Sequence, residues 1–86
     1  MKVRIPSALA GYTGELREVD VAGRTLGEAL DALERRFPGI RFRIVSEQDR
    51  IRRHIKIFVN QDAAPGLGAP LAPHDEIMIV CALSGG

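Results

Sequence analysis

Between Thr25 and Gly39 the sequence TLGEALDALERRFPG sets Leu26, Ala29, Leu30, Leu33 and Phe37 at i, i+3, i+4, i+7 and i+11, the apolar stripe of one helix. Thr25 and Glu28 have capping-box spacing, and Asp31 with Arg35 makes an i,i+4 pair. Arg35 and Arg36 fall at the end where the macrodipole favours cations, and Pro38 with Gly39 stops the run. One striped helix has to lay its stripe on something. In a chain of 86 residues that something is one face of one sheet.

The rest of the chain supplies the strands. Lys2 to Ile5 alternates polar and apolar, with Val3 and Ile5 on one side, and Pro6 ends it. In GYTGELREVDV, turn chemistry at Gly11 and Gly14 precedes a second alternation, Val19 and Val21 against Glu18 and Asp20, which predicts a hairpin with the first strand. HIKIFVN alternates with Ile55, Ile57 and Val59 on one face, and Asn60, Gln61 and Asp62 supply a turn. EIMIVCAL is a continuous apolar run, the pattern of a strand that is central in its sheet or covered on both sides.

Two segments carry no such pattern. Ile40 to Arg53 is basic and reads as a long connection with one irregular turn. Residues 63–73 are rich in Pro and Gly, which leaves room for a loop and at most one short edge strand and forbids a second helix. The order strand, strand, helix, strand, short strand, strand predicts an α+β domain of the β-grasp, ubiquitin-like type. Its mixed sheet of four to five strands packs on one main helix over about 25–37. Residues 1–82 form a single domain, and 83–86 a flexible tail.

Composition narrows the function. Twelve Lys and Arg against eleven Asp and Glu give a net charge of +1, without the broad positive field of a nucleic-acid binder. A single cysteine excludes an internal disulfide framework, and no apolar run reaches membrane length, so the expected compartment is the cytoplasm. His54 and His74 have no ligand-type neighbours at i+3 or i+4, so no metal site is expected. Cys81 has neither base nor cation beside it in sequence and reads as a structural thiol. Gly66 and Gly68 lack the Gly-Lys-Ser/Thr of a phosphate cradle. Arg41, Arg43, Arg50, Arg52, Arg53 and Lys56 are the one local charge excess, read first as a solvated rim and second as a surface for an acidic partner. Phe37 and Phe42 adjoin apolar elements and are read as core.

The chain closes on CALSGG. Glycines lack Cβ atoms, so Gly85 and Gly86 could pass a narrow channel and bring a carboxylate close to a reaction centre. Extended, Leu83 to Gly86 would reach about 13 Å past the last strand. An ionised carboxylate is a poor electrophile and needs activation before it can transfer anything.

The strand and turn IKIFVNQD, the strand entry HDEIMIV and the ending ALSGG, on this layout, resemble the ubiquitin-like sulfur carriers of the MoaD/ThiS family over essentially the whole chain. The commoner family ending has Ala where this chain has Ser84. The resemblance implies a carrier that acts as a protein-bound co-substrate and not as an enzyme, with no bound cofactor. Gly86 would be adenylated, at the expense of ATP, by a separate ubiquitin-activating-type enzyme and converted to a thiocarboxylate. Gly85, Ser84 and Leu83 would form the tail, with Arg52, Arg53 and Phe58 as candidate docking residues.

Length makes the molybdopterin synthase small subunit the leading comparison, with that synthase's large subunit or a similar synthase accepting the sulfur in molybdenum cofactor biosynthesis. The alternatives are a carrier for cysteine or thiamin biosynthesis, a non-covalent β-grasp interaction module, and a ubiquitin-like protein modifier. No nucleic-acid or membrane partner is expected.

Overall fold

The computed structural model describes residues 1–82. The tail residues Leu83, Ser84, Gly85 and Gly86 lie outside the described residues.

Five strands form one mixed sheet: β1 (Lys2–Arg4), β2 (Glu18–Asp20), β3 (Ile55–Val59), β4 (Asp62–Ala63) and β5 (Glu76–Cys81), in the order β2-β1-β5-β3-β4. β1 and β2 pair antiparallel, Val3 opposite Val19, as their alternation predicts. β5 lies in the middle, parallel to β1 with Val3 beside Ile77, and antiparallel to β3 with Ile57 beside Ile79. The continuous apolar run therefore marks a central strand, but only one of its faces is covered. Ile77 and Ile79 are buried, whereas Met78 on the other face is 39% exposed.

Helix α1 (Leu26–Arg36) covers the inner face. Leu26, Ala29, Leu30 and Leu33 are all buried and meet Val3, Ile5, Val19, Ile55, Ile57, Ile77 and Ile79 in one core. Phe37 is only partly buried at its edge. The Glu28 N–H donates to Thr25 Oγ1 at 3.2 Å, but Glu28 Oε1 accepts from the Arg24 N–H, one residue earlier than a standard capping box. Two further helix N–H groups, those of Leu26 and Gly27, donate to the carbonyls of Ala69 and Leu67. The Pro/Gly-rich segment thus satisfies orphan donors at the helix start, a task its composition does not announce.

Four sequence readings need correction. Asp31 pairs with Arg41, whose Nε lies 2.9 Å from Asp31 Oδ1 although its N–H is not aimed for a hydrogen bond; no ion pair joins Asp31 to Arg35 among the described residues. The basic segment begins with a second helix, α2 (Ile40–Ile44), which buries Ile40 and Ile44 on one side, followed by a tight loop closed by a bridge between Val45 and Ile51. Phe42, midway between those buried isoleucines on α2, points away from the core and is 55% exposed. Ser7–Thr13, which the sequence left without structure, is a 3-10 helix that buries Leu9, Ala10 and Thr13.

The junction of the two helices depends on one carboxylate and one glycine. Glu34 accepts the N–H groups of Gly39 (2.8 Å) and Arg41 (2.9 Å), the unpaired donors at the start of α2. These bonds hold its carboxyl below the ordinary value of 4.5. Gly39 sits at φ 99, in the left-handed region, and a Cβ there would lie 3.4 Å from the Tyr12 ring.

Candidate functional site

β5 leads into the tail. Its last pairing sets Cys81 opposite Ile55, and the Ala82 N–H then donates to the His54 carbonyl at 2.7 Å. The described chain therefore ends fastened to the start of β3. Cys81 is half-buried, and desolvation pushes its thiol pKa up although the Arg43 charge acts the other way. A raised thiol pKa means little thiolate at neutral pH, the opposite of a nucleophile's setting.

The outer face of the sheet is uncovered by any described element. One cross-strand row runs Glu18, Arg4, Met78, Phe58, Ala63. Its centre is apolar: Met78 and the half-buried Phe58 lie side by side, and Val80, next on that face of β5, is half-buried. Its rim is charged and mutually neutralised, with Arg4 Nε 3.4 Å from Glu76, Arg4 Nη2 3.9 Å from Glu18 and Lys2 Nζ 3.8 Å from Glu18. Exposed pairs of this length add little to stability, so the rim's effect is on what can approach the apolar centre. A groove of about 680 Å³ runs beside the end of β5, lined among others by Ile5, Pro6, Arg17, Met78 and Cys81. It opens because β1 stops pairing at Arg4 opposite Met78, and Pro6 has no N–H with which to continue the ladder.

The sequence-predicted docking residues separate. Phe58 belongs to the open face. Arg52 lies on the helix side, where its Nε donates to the Phe42 carbonyl at 2.7 Å and its guanidinium stands 4.7 Å from the centre of the Phe42 ring. Arg53 is exposed beside it. Met78 and Phe42 complete these two surfaces. For Phe42 a sequence signal existed: a residue two positions from each of two apolar residues spaced i,i+4 falls on the opposite side of that helical turn.

Among the described residues no three His, Cys, Asp or Glu side chains come together to hold a metal ion, and no helix is long and apolar enough to cross a membrane.

Known proteins place this geometry. The model of the ThiS family matches residues 3–86. The chain is 33% identical to the sulfur carrier protein CysO of Mycobacterium tuberculosis over 98% of its length and 96% of that protein's. It is 38% identical to small archaeal modifier protein 1 of Haloferax volcanii, over 79% of this chain and 78% of that one. Its fold superposes on the crystal structure of the Amycolatopsis orientalis BexX/CysO complex with a TM-score of 0.92 and 34% identity, covering 99% of this chain and 98% of the matched one. The β-grasp architecture and the match across nearly every residue lead to one conclusion: the chain belongs to the ThiS family, among ubiquitin-like sulfur carriers of the MoaD/ThiS type.

Proposed function

We propose that this chain carries sulfur on its last residue and is a co-substrate, with the chemistry performed by other proteins. A ubiquitin-activating-type enzyme would join the Gly86 carboxylate to the AMP moiety of ATP, releasing pyrophosphate. A sulfur donor would then displace AMP and leave the thiocarboxylate, which gives its sulfur to an acceptor. The observation that carries this reading is the central strand. β5 is pinned on both sides, to β1 and to β3, and hands the chain over at Ala82. Such an anchor lets an extended tail enter a partner's channel while the domain stays rigid outside it.

The acceptor is read from likeness. Whole-length similarity to CysO supports the carriers that serve cysteine synthesis over the molybdopterin synthase small subunit that length alone favours. The open face around Phe58 and Met78 is the surface we assign to docking, because an apolar centre inside a neutralised rim suits burial against another protein. CysO itself was crystallised in a complex with BexX, which supports a partner-bound mode of action here. A second reading, a modifier transferred to lysines, is favoured by the likeness to small archaeal modifier protein 1.

Intact mass decides between these readings. After incubation with ATP, a competent activating enzyme and a sulfide source, the carrier gains about 16 Da from exchange of one carboxylate oxygen for sulfur, and the gain disappears when Gly86 is deleted. Lysine-linked adducts in place of that gain would establish the modifier. An unchanged mass would leave a non-covalent module.

A further inference from the structure

Five of the twelve cations of this chain are engaged away from the segment after α2 or by carboxylates. Lys2, Arg4 and Arg41 have carboxylates within salt-bridge distance, Arg17 Nε donates to the Ile5 carbonyl, and Arg36 Nη1 to the Asp20 carbonyl. Arg43, Arg50, Arg52 and Arg53 stand out by lying together, whereas Arg24, Arg35 and Lys56, which also lack a carboxylate among the described residues, line neither hollow there. None of the four has a carboxylate partner among the described residues, and they gather where α2 faces the approach to β3.

From this cluster we infer that Phe42, Arg43, Arg52 and His54 form a receptor for a carboxylate side chain on an acidic surface of the protein that handles the tail. This rests on the carrier reading only for the partner's identity.

Three observations carry it. Arg52 is held in advance. Its bond to the Phe42 carbonyl and its stacking on the Phe42 ring fix the guanidinium plane, leaving both terminal nitrogens without an intramolecular partner among the described residues. A fixed, unpaired guanidinium fork matches a carboxylate bidentately and gives up less side-chain entropy on binding.

The second observation is size. The hollow between Phe42, Arg43, Arg52 and His54 has a volume of about 200 Å³. Small-molecule pockets usually start near ~300 Å³, so this one suits a single side chain presented by a larger body. With a net charge of +1 and one exposed aromatic ring in the patch, the stacking platform and broad field of a nucleic-acid site are lacking.

The third is position. His54 lends its carbonyl to the Ala82 N–H, and the Arg43 charge reaches Cys81. The receptor therefore flanks the tail root on the helix side, while the Met78 face lies on the other side of the sheet. A partner that draws in the tail would find an apolar contact on one side and a charged one on the other.

The test is a titration of the full-length, nitrogen-15-labelled chain with hexaglutamate at low salt, followed by amide shifts, with oligo(dT) and inorganic phosphate as comparison probes. Hexaglutamate is expected to move the amides of Phe42, Arg43, Arg52 and His54 more than those of Lys2, Arg35 and Arg36. Arg43→Glu, which disturbs no hydrogen bond or ion pair among the described residues, should weaken binding about threefold, and Arg43→Glu with Arg52→Glu about tenfold.

Equal movement at all basic residues would overturn the inference. So would phosphate saturating the same amides as well as hexaglutamate does, which marks a small-anion site, or tighter binding of oligo(dT), which marks a nucleic-acid site. Because no transfer step is involved, the result is independent of the mass experiment: a chain that takes no sulfur yet shows this pattern would end the carrier reading and leave the receptor standing.

Discussion

Asn60 and Asp75 lock the turn after β3 to the entry of β5: Asn60 Nδ2 donates to Asp75 Oδ1 at 2.6 Å, while Asn60 Oδ1 accepts from the Glu76 N–H at 2.9 Å. Asn60 and Gln61 both have positive φ, 51 and 79, the pair of left-handed residues that a tight two-residue hairpin turn requires. Asn tolerates this conformation and here also braces the central strand. Asn60→Ala should lower the urea midpoint, and Asn60→Gly, which relieves the backbone but not the lost bonds, should recover only part of it. Full recovery in the glycine variant would show that the side-chain bonds contribute nothing.

Acid should weaken the fold through two carboxylates. Hydrogen bonds from Gly39 and Arg41 depress Glu34, and bonds from Ala72 and Asn60 depress Asp75. A carboxyl whose folded pKa lies below its unfolded value binds fewer protons when folded, so its stabilisation is complete above the ordinary values of 4.5 and 3.8. That stabilisation is lost as pH falls through them toward the folded values. Urea midpoints measured from pH 7 down to pH 3 should be level and then fall, and Glu34→Gln should flatten part of the fall.

Gly39→Ala should cost about 1–2 kcal/mol, because an L-residue is strained at φ 99 and the added methyl presses on Tyr12. Gly23→Ala should cost at least as much for a different reason: its Cβ would come within 2.7 Å of the Ala29 backbone nitrogen, which cannot move without displacing α1. Denaturation curves of both variants check this.

Neighbours on β5 should behave oppositely. Ile77 is fully buried, and Ile77→Ala should remove about 2–5 kcal/mol of stability. Met78→Ala, on the open face, should change stability by less than about 1 kcal/mol yet slow sulfur loading at carrier concentrations below saturation. An unchanged loading rate for Met78→Ala and Phe58→Ala together would remove the open face from docking.

Cys81→Ser should load sulfur as the parent does, since desolvation raises the thiol's pKa, contrary to a nucleophile's setting, and the proposed carrier is Gly86. Mass spectrometry separates the cases, because a persulfide on Cys81 would add about 32 Da where a thiocarboxylate adds about 16. Loss of the gain in Cys81→Ser would move the chemistry from Gly86 to the thiol.

Much of this fold could be read from the letters because local and tertiary demands agree there. Leu26, Leu30 and Leu33 want one helix face, and Val3, Ile57 and Ile77 want one sheet face, and each pattern forms without compromise. The misreadings fall where the pattern was too short to repeat. α2 spans little more than one turn, so Ile40 and Ile44 gave one matching interval amid five arginines of the surrounding segment, and the charge outweighed it. Asp31 faced two arginines, and which one it met depended on the turn at Gly39, a tertiary fact. That the candidate docking residues Arg52 and Arg53 lie apart from Phe58 was not legible, because strand alternation says nothing about where the preceding loop folds.

The place of β5 also bears on how the chain folds. The middle strand of the sheet is the last strand in chain order, and its pairing with β1 joins Lys2 to Glu76 across nearly the full sequence. β1 and β2 can pair early, but the gap between β1 and β3 stays open until β5 is available. Such long-range closure slows folding relative to local pairing. A chain without β5 would leave β1–β2 and β3–β4 as two separate strand pairs, so the sheet becomes one body only once β5 is in place.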